Sequence, residues 1–284
     1  MDILKFRLPA VLVVVFFSTL LGCRQKKIVL DSPPNYNFAE VFEDKLDLQL
    51  KEISGLAWDR VNNVFLAHYD EAGKLFYLDR DTKSIKDTVT FGKKADYEDI
   101  TLAEGIIYIL KSEGIITRIQ RDSTGIATSE EVGKLTLEGK NDFETMYYDS
   151  ARKALILICK NCDMDDKQTV SAFAYYIDSS GFVNDPVYTI NADSVQSMAP
   201  EKTSKFQPSA AAIHPVLKKL FIISSASNLL VIADLNGRPE SVYKLSKKLF
   251  PQPEGITFNN TGDMYISNEG VDGRATILRF EFRR

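Results

Sequence analysis

Short apolar runs, separated by polar turns, recur along this chain at a nearly constant step. The runs are rich in β-branched and aromatic side chains, which is typical of β-strands. A glutamate heads four of the groups, at Glu52, Glu98, Glu144 and Glu254, and a degenerate copy begins at Ser209. The steps between these heads are 46, 46, 65 and 45 residues. A repeat of about 40–50 residues with four short strands indicates a blade of a β-propeller.

The pattern therefore predicts an all-β fold, a five-bladed β-propeller. The steps are nearly constant and the same motif heads each group, which argues against the alternative of two β-sandwiches. The predicted strands are 53–58, 63–68, 74–80 and 85–90 in the first blade; 99–103, 106–111, 115–121 and 131–138 in the second; 145–149, 154–160, 170–177 and 187–190 in the third; 210–214, 219–224, 228–234 and 241–245 in the fourth; and 255–258, 263–268 and 275–282 in the fifth.

The fifth blade has signals for only three strands. The segment 36–42 (Y-N-F-A-E-V-F) precedes the first blade and belongs to no blade of its own. We expect this N-terminal segment to complete the last blade, which closes the ring and removes an open sheet edge. The longest step contains a polar segment, 191–207, which we interpret as a loop with one helical turn because it is too short for a sixth blade.

The N-terminus has the pattern of a targeting segment. Lys5 and Arg7 precede an apolar run at 8–21 that is short for a membrane span. The run ends in L-L-G-C, which resembles a bacterial lipobox with Cys23 as the lipid-modified residue. We predict a lipoprotein signal peptide at 1–22, a lipidated cysteine and tether at 23–35, and the propeller domain at 36–284. An ordinary signal peptide or an uncleaved anchor remains the alternative.

Lipidation of Cys23 would hold the domain at the cell membrane or outer membrane, facing the periplasm or the outside. The formal net charge is −4, and no basic stripe with interleaved aromatic residues occurs, so nucleic acid is not an expected partner. The chain has two histidines and no nucleophile elbow, P-loop, Rossmann glycine pattern or H-E-x-x-H motif. These features argue against a serine- or cysteine-based hydrolase.

Cys159 and Cys162 form a C-K-N-C motif at the end of an apolar run. A redox C-x-x-C motif usually begins a helix, and a zinc site would need two further ligands. We therefore favour a local disulfide or two structural thiols, and an oxidising compartment would favour the disulfide.

The glutamate heads are the candidate site. The head residues begin what we take to be the innermost strands, so Glu52, Glu98, Glu144 and Glu254 would face one axis. Carboxylates so close together need either raised pKa values or a cation among them. Hard oxygen ligands favour Ca²⁺. The alternative is that these glutamates accept hydrogen bonds from backbone N–H groups of neighbouring blades.

Other polar residues near these heads have weaker signals. Asp96, Asp99 and Asp142 flank two of the heads and could add oxygen ligands, although solvated loops are their expected setting. His68 lies beside acidic residues in a segment that we interpret as a polar turn. His214 follows an apolar run and is interpreted as the end of a strand.

Four runs resemble the SdiA-regulated family: F-Q-P-S-A-A-A-I-H-P-V-L-K-K-L-F-I-I-S-S-A-S-N-L-L-V-I-A-D-L-N-G (206–237), Q-P-E-G-I-T-F-N-N-T-G-D-M-Y-I-S-N-E-G (252–270), E-I-S-G-L-A-W (52–58) and D-Y-E-D-I (96–100). This family is distantly related to NHL-repeat and phytase-like propellers. The resemblance implies a five-bladed propeller outside the cytoplasm, a calcium site and no established activity. The metal positions that it implies are Glu98, Glu144, Glu254 and, less directly, Glu52. Because Ser209 departs from the pattern, Gln207 or Gln252 could complete the site.

Three functions remain open at this point. The first is a calcium-binding, membrane-tethered module of the cell envelope for an unknown protein, glycan or small-molecule ligand. The second is a calcium-dependent hydrolase, a lactonase or phosphoesterase, with Asp99 as a candidate base. The third is a metal-free scaffold that binds its partner through the 191–207 loop.

Overall fold

A computed structural model describes residues 31–122, 125–271 and 273–284, and in it five four-stranded antiparallel sheets form a five-bladed β-propeller, as predicted. In chain order the strands are β1 (Phe42–Lys45), β2 (Ile53–Asp59), β3 (Val64–Tyr69), β4 (Lys74–Asp79), β5 (Ile85–Thr90), β6 (Tyr97–Ala103), β7 (Ile106–Lys111), β8 (Ile115–Arg121), β9 (Ala127–Lys134), β10 (Asn141–Asp149), β11 (Ala154–Cys162), β12 (Thr169–Tyr176), β13 (Gly181–Asn191), β14 (Ala210–Ile213), β15 (Leu220–Ser224), β16 (Leu229–Ala233), β17 (Pro239–Lys244), β18 (Pro253–Phe258), β19 (Met264–Asn268) and β20 (Thr276–Phe280). A 3₁₀ helix (Leu48–Leu50) and α1 (Ala192–Met198) complete the elements.

The first strand of each blade lies innermost. Strands β2, β6, β10, β14 and β18 contact one another in this order around the ring, and β18 contacts β2 again. Apolar side chains fill the spaces between adjacent sheets. Between the fifth and first blades, for example, Leu56 and Phe65 pack with Ile277. This packing fixes the radius of the ring and brings the beginnings of the five innermost strands together at one face.

The closing strand lies later in the chain than the sequence predicts. Strand β1 begins at Phe42 and pairs antiparallel with β20, so that Phe42 lies opposite Arg279 and Lys45 opposite Thr276. The predicted closing segment, 36–42, instead buries Tyr36 and Phe38 in the core of the fourth and fifth blades. The apolar character of Tyr36 and Phe38 indicates that both are buried. They are buried by packing in the core, whereas the strand pairing is made by residues 42–45.

We expect Phe38→Ala to destabilise the propeller by about 3–5 kcal/mol, because it removes a fully buried ring from a core with little room to collapse. Phe38 is 1% exposed and packs against Phe250 and Phe280 with ring centroids 5.2 and 4.8 Å apart. Phe42→Ala is the matched control, since Phe42 belongs to the same closing segment but is 48% exposed. Denaturant unfolding of both variants measures the difference. Equal losses would contradict this account of the closure.

Several other elements differ from their predicted bounds, and β10 (Asn141–Asp149), for example, begins four residues before the predicted 145–149. The outer strand of the second blade is β9 (Ala127–Lys134) rather than 131–138, and that of the third blade is β13 (Gly181–Asn191) rather than 187–190. The long step holds α1, which is seven residues long rather than one turn. The Asn191 side chain caps this helix by accepting a hydrogen bond of 2.6 Å from the Ser194 N–H. Outer strands are half-exposed, so their apolar pattern is weak.

The predicted signal peptide at 1–22 and the lipidation site at Cys23 lie outside the described residues. Within the part of the chain that the structure describes, no helix combines the length and the apolar character needed to cross a membrane.

Candidate functional site

Three of the predicted head residues are the unpaired residues of β-bulges. In β6, Tyr97 and Asp99 pair with consecutive residues of β7, which leaves Glu98 without a partner in the ladder. The same register shift isolates Glu144 in β10 and Glu254 in β18. A bulge turns the extra residue away from the regular alternation of the strand. The sequence thus places these three glutamates at equivalent positions of three innermost strands.

Glu52 does not occupy this position, although the sequence pattern groups it with the other heads. In four of the five blades, the residue that ends the innermost strand or follows it caps the next turn through its side chain: Asp59, Asp149, His214 and Asn259 each accept turn N–H groups. Counting back five residues from each of these gives Ser54, Glu144, Ser209 and Glu254. The first blade therefore contributes Ser54 to the bulge ring, and Glu52 lies two residues before it.

Three sets of equivalent residues surround the mouth of the channel. The bulge ring consists of Ser54, Glu98, Glu144, Ser209 and Glu254. The outer ring precedes it by two residues and consists of Glu52, Asp96, Asp142, Gln207 and Gln252. The backbone N–H groups of Asp70, Ser112 and Glu269 donate to the carbonyls of Glu52, Asp96 and Gln252, which identifies a third set at the ends of the second strands.

The third set includes the cation of the site. In the third blade the equivalent residue is Lys160 in β11, which forms an ion pair with Glu144 in β10. Both residues lie at register shifts of the β10–β11 pair, because Asp142 lies opposite Asn161, Phe143 opposite Cys159 and Thr145 opposite Ile158. The side chains of Lys160 and Glu144 are 30% and 15% exposed. The lysine ammonium therefore meets the carboxylates at the rim of the channel.

Glu98, Asp142 and Glu144 form the tightest acidic group in the described part of the chain. One carboxylate oxygen from each lies within 4.8 Å of the others, close enough for a single cation to contact all three. Hard oxygen ligands are those that Ca²⁺ and Mg²⁺ prefer. The donor set therefore fits a divalent cation of this class, on the condition that Lys160 shares or leaves the position.

Burial raises the pKa of Glu98 to about 8. After burial, the charges of Asp96, Asp142 and Glu254 contribute to this rise in the Glu98 pKa, and the charge of Lys160 opposes it. Burial likewise raises the pKa of the Asp142 carboxyl, again against the effect of Lys160. One lysine therefore only partly compensates the charge of this acidic group.

A second acidic group continues around the ring toward the first blade. The pKa of Glu254 is raised to about 8, first by burial and then by Glu269. The pKa of Glu269 is raised to about 7 by burial and by the charges of Asp70 and Glu52. Gln252 donates a short hydrogen bond to Glu269. At neutral pH the channel mouth thus holds carboxyls that are poised between their charged and neutral forms.

Glu52 is committed to a neighbour rather than to the bulge ring. Its carboxylate accepts a hydrogen bond of 2.7 Å from the Tyr69 hydroxyl. This hydrogen bond is the main reason why the pKa of Tyr69 is raised to about 12. The charge of Glu52 helps to raise the pKa values of Asp70 and Glu269.

Among the described residues, side chains other than those of the glutamate heads form hydrogen bonds with backbone groups of neighbouring blades. Asp99 is 4% exposed and accepts N–H groups from Ile100, at 2.8 Å, and from Met146 of the next blade, at 2.7 Å. Ser54 and Ser209 donate to carbonyls of their neighbouring blades, at 2.8 and 3.0 Å. The hypothesis that Asp99 acts as a base is therefore wrong in this structure, because its carboxylate is buried and occupied.

Both histidines are structural. His68 is fully buried in β3 rather than in a polar turn, and burial lowers its pKa to about 4. His214 follows β14, as expected, and its Nδ1 accepts the N–H groups of Val216 and Leu217. Its Nε2 lies 2.7 Å from the hydroxyl of Tyr36, so it helps to hold the closing segment. Burial lowers the pKa of His214 to about 4 as well.

A disulfide joins Cys159 and Cys162 in the structure. Both cysteines are buried in the core of the second and third blades. The bridge spans Lys160 and Asn161, so it closes around the residue that reaches the carboxylates. Lys205, in the loop after α1, donates to the Asn161 side chain at 3.1 Å.

Sequence reasoning missed Lys160, Asp70 and Glu269 as members of the site. All three lie near the ends of the second strands of their blades, at a position that holds a different residue type from blade to blade. Aligning the second strands by their pairing with the innermost strands would have placed them at one height.

The model of the SdiA-regulated family matches residues 32–271, which is most of the chain. The chain belongs to the SdiA-regulated family. Among curated protein sequences, none matches this member.

Solved structures show the same fold at low sequence identity. A glutaminyl cyclase from Myxococcus xanthus is 12% identical, with a TM-score of 0.56, over 86% of this chain and 96% of the other. A luciferin-regenerating enzyme is 11% identical, with a TM-score of 0.51, over 85% and 95%. A Bacteroides thetaiotaomicron protein of unknown function is 13% identical, with a TM-score of 0.52, over 79% and 53%. At these identities the similarity concerns the fold alone.

Proposed function

We propose that this member of the SdiA-regulated family is a calcium-binding propeller of the cell envelope, tethered by a lipid on Cys23, that acts as a binding module. The observation that carries the proposal is the group of Glu98, Asp142 and Glu144 oxygens, which lie within 4.8 Å of one another. Glu254 adds a fourth carboxylate whose charge acts on Glu98. Glu52, which sequence reasoning included, is left out of the proposed ligand set because of its register and its bond to Tyr69.

The chemistry of the group supports calcium over the other common cations. Ca²⁺ accepts six to eight oxygens in a flexible geometry, whereas Mg²⁺ requires a near-ideal octahedron. Carboxylates on three bulges, supplemented by water, suit the less demanding ion. The described site has no imidazole or free thiolate that would select a transition metal.

Placement outside the cytoplasm is supported by two features. The L-L-G-C sequence before residue 24 resembles a lipobox, and the Cys159–Cys162 disulfide is a feature of oxidising compartments. Calcium is abundant outside cells, so even a weak site there would be occupied. The ligand of the module is an unidentified protein, glycan or small molecule.

The thermal unfolding midpoint of the purified protein tests the calcium proposal. Measurements in chelator, in millimolar calcium and in millimolar magnesium separate the ions. A hundredfold excess of ligand over its Kd stabilises the folded state by about 2.7 kcal/mol. The expected result is a rise of several degrees with calcium and a smaller rise with magnesium. Identical midpoints in chelator and calcium would reject the proposal.

A calcium-dependent hydrolase is a second candidate, and the raised pKa of Glu98 is the observation that favours it. Carboxyls with pKa values near neutrality, beside a metal, are common among catalytic acids and bases. Bound calcium would polarise a carbonyl or phosphoryl oxygen of the substrate. Because Asp99 is buried, the acid or base would be Glu98 or Glu254. Turnover of a lactone, phosphomonoester or phosphodiester above that of a Glu144→Gln control would support this candidate.

The metal-free scaffold is the third candidate. It predicts that Glu144→Gln leaves binding of a partner unchanged and that removal of the 191–207 loop abolishes it. A calcium-dependent partner would contradict it.

A further inference from the structure

We propose that Lys160 is a displaceable counter-ion of the carboxylate ring, so that a divalent cation binds only by exchanging with the lysine ammonium. This inference rests on the proposed calcium function and concerns the same site. It assigns a role to the C-K-N-C motif, which the calcium proposal leaves unexplained.

The position of Lys160 carries the first part of the argument. Four of the five blades place a carboxylate or a hydroxyl at the end of the second strand: Asp70, Ser112, Ser225 and Glu269. The third blade alone places a cation there. Lys160 forms an ion pair with Glu144, which is one of the three carboxylates closest to a common centre. Its charge also acts on Glu98, Asp142 and Glu254. The ammonium therefore already occupies the electrostatic role of a bound metal ion.

The side chain of Lys160 is able to leave. It is 30% exposed, and its ammonium has no other ion-pair partner among the described residues. A lysine ammonium is a point charge on a flexible stem of four carbons, so a swing toward solvent needs no movement of the backbone. Calcium brings two positive charges to the same oxygens and repels the ammonium. Occupancy by calcium and occupancy by Lys160 therefore exclude each other.

The disulfide fixes the backbone position of Lys160. Cys159 and Cys162 are buried on either side of the bulged Lys160, and Asp142 and Phe143 pair with residues on either side of it. Four residues closed by a disulfide have little freedom to unwind. The backbone of Lys160 is thus held beside Glu144, while its flexible side chain can still turn its ammonium from the carboxylate toward solvent. The cysteines act as positioning residues for the ammonium.

Calcium titration of the Lys160→Met variant tests the exchange. Removing a positive charge that touches a ligand carboxylate is expected to tighten calcium binding by at least about tenfold. Lys205→Met is the matched control, because it removes the same charge beside Asn161 without touching the ring. We expect its calcium affinity to stay within about threefold of the wild type, as for a screened charge.

Amine reactivity of the wild-type protein gives a second measurement that does not depend on any variant. Reductive methylation, followed residue by residue with mass spectrometry, measures how freely each lysine ammonium meets solvent. Added calcium is expected to increase the rate at Lys160 and to leave the rate at Lys205 unchanged. A rate at Lys160 that is unchanged or lower with calcium would overturn the exchange.

The role of the disulfide is tested by measuring calcium affinity before and after its reduction, in the wild type and in the Lys160→Met variant. Reduction is expected to raise the calcium affinity of the wild type, because Lys160 is then held less firmly, and to leave the Lys160→Met variant unchanged. Equal effects in the two backgrounds would show that the bridge acts independently of the lysine.

The outcomes separate this inference from the function on which it rests. If the wild type binds calcium and Lys160→Met binds it equally or more weakly, the exchange is wrong and the calcium function stands. If neither protein binds calcium, both are wrong, because the variant lacks the competing charge. Tighter binding by Lys160→Met but not by Lys205→Met supports both.

Discussion

In chelator, the protein should lose about 3 kcal/mol of unfolding free energy between pH 6.5 and pH 8.5. The cause is that Glu98 and Glu254, with pKa values raised to about 8, and Glu269, with a pKa raised to about 7, give up their protons in this interval. In the unfolded chain these carboxyls ionise near their ordinary value of 4.5. The folded state therefore binds more protons than the unfolded state, and stability falls as the pH rises.

The interval is chosen so that the histidines contribute only a small opposing change, because the unfolded imidazoles are already about half deprotonated at pH 6.5. The pKa values of His68 and His214 are lowered to about 4, so both are neutral in the folded state above that value. Their ordinary value is 6.5, and below it they change stability in the opposite direction, because only the unfolded state gains protons. Above pH 6.5 the carboxyls dominate. For a domain of this size, about 3 kcal/mol corresponds to a change in the midpoint of roughly 10 °C.

Calcium should reverse this dependence. A bound cation stabilises the ionised carboxylates, so calcium should stabilise the protein strongly at pH 8.5 and much less at pH 6.5, where protons compete for the same oxygens. Chemical unfolding at both pH values, with chelator and with calcium, gives the four free energies. If the unfolding free energy in chelator is constant or rises from pH 6.5 to 8.5, the carboxyls at the channel mouth do not have the raised pKa values described above.

The second large effect is expected from Glu98→Gln, compared with Glu52→Gln. Glu98 contributes one of the three carboxylate oxygens that lie within 4.8 Å of one another. Glu52 precedes the bulge-ring residue of its blade by two positions, and its carboxylate accepts a hydrogen bond from the Tyr69 hydroxyl. Glu98→Gln should remove all or nearly all of the stabilisation by calcium. The same substitution should raise the stability of the chelated protein at pH 8.5 by about 1 kcal/mol or more, because it removes a buried charge.

Glu52→Gln is the control for this comparison, since it makes the same chemical change at a residue with the same sequence signature. It should retain most of the response to calcium. The thermal unfolding midpoints of the two variants, each measured with and without calcium, show which glutamate is needed for the response to calcium. An equal loss of the calcium response in both variants would restore Glu52 to the ligand set. A loss of stability by Glu98→Gln in chelator would instead indicate that the glutamate supports the fold.

The number of blades could be predicted from the sequence because each innermost strand is preceded by the same local pattern. The register within each blade could not. Glu52 and Glu98 are 46 residues apart, yet the equivalent of Glu98 in the first blade is Ser54, which lies 44 residues before it. The step from Ser54 to Glu98 is 44 residues and that from Glu98 to Glu144 is 46, although both blades have four strands. Spacing alone is therefore an uncertain guide to the register.

Pairing across strands explains the other differences. Lys160 meets Glu144 because two bulges face each other in the β10–β11 pair, and a bulge has no sequence signature of its own. The apolar character of Tyr36 and Phe38 places them in the closure but does not reveal that they pack in the core, while the polar residues 43–45 pair with β20. Asp99 was interpreted as solvated because a carboxylate normally is, and its two backbone partners explain the exception.

The calcium content of the protein after equilibrium dialysis tests the central claim most directly. The protein is dialysed at pH 8.5 against buffered calcium, beside the Glu144→Gln variant, and the bound metal is measured by elemental analysis. The carboxylate ring predicts about one calcium ion per wild-type chain and almost none in the variant. No calcium in the wild type, or equal amounts in both proteins, would contradict it.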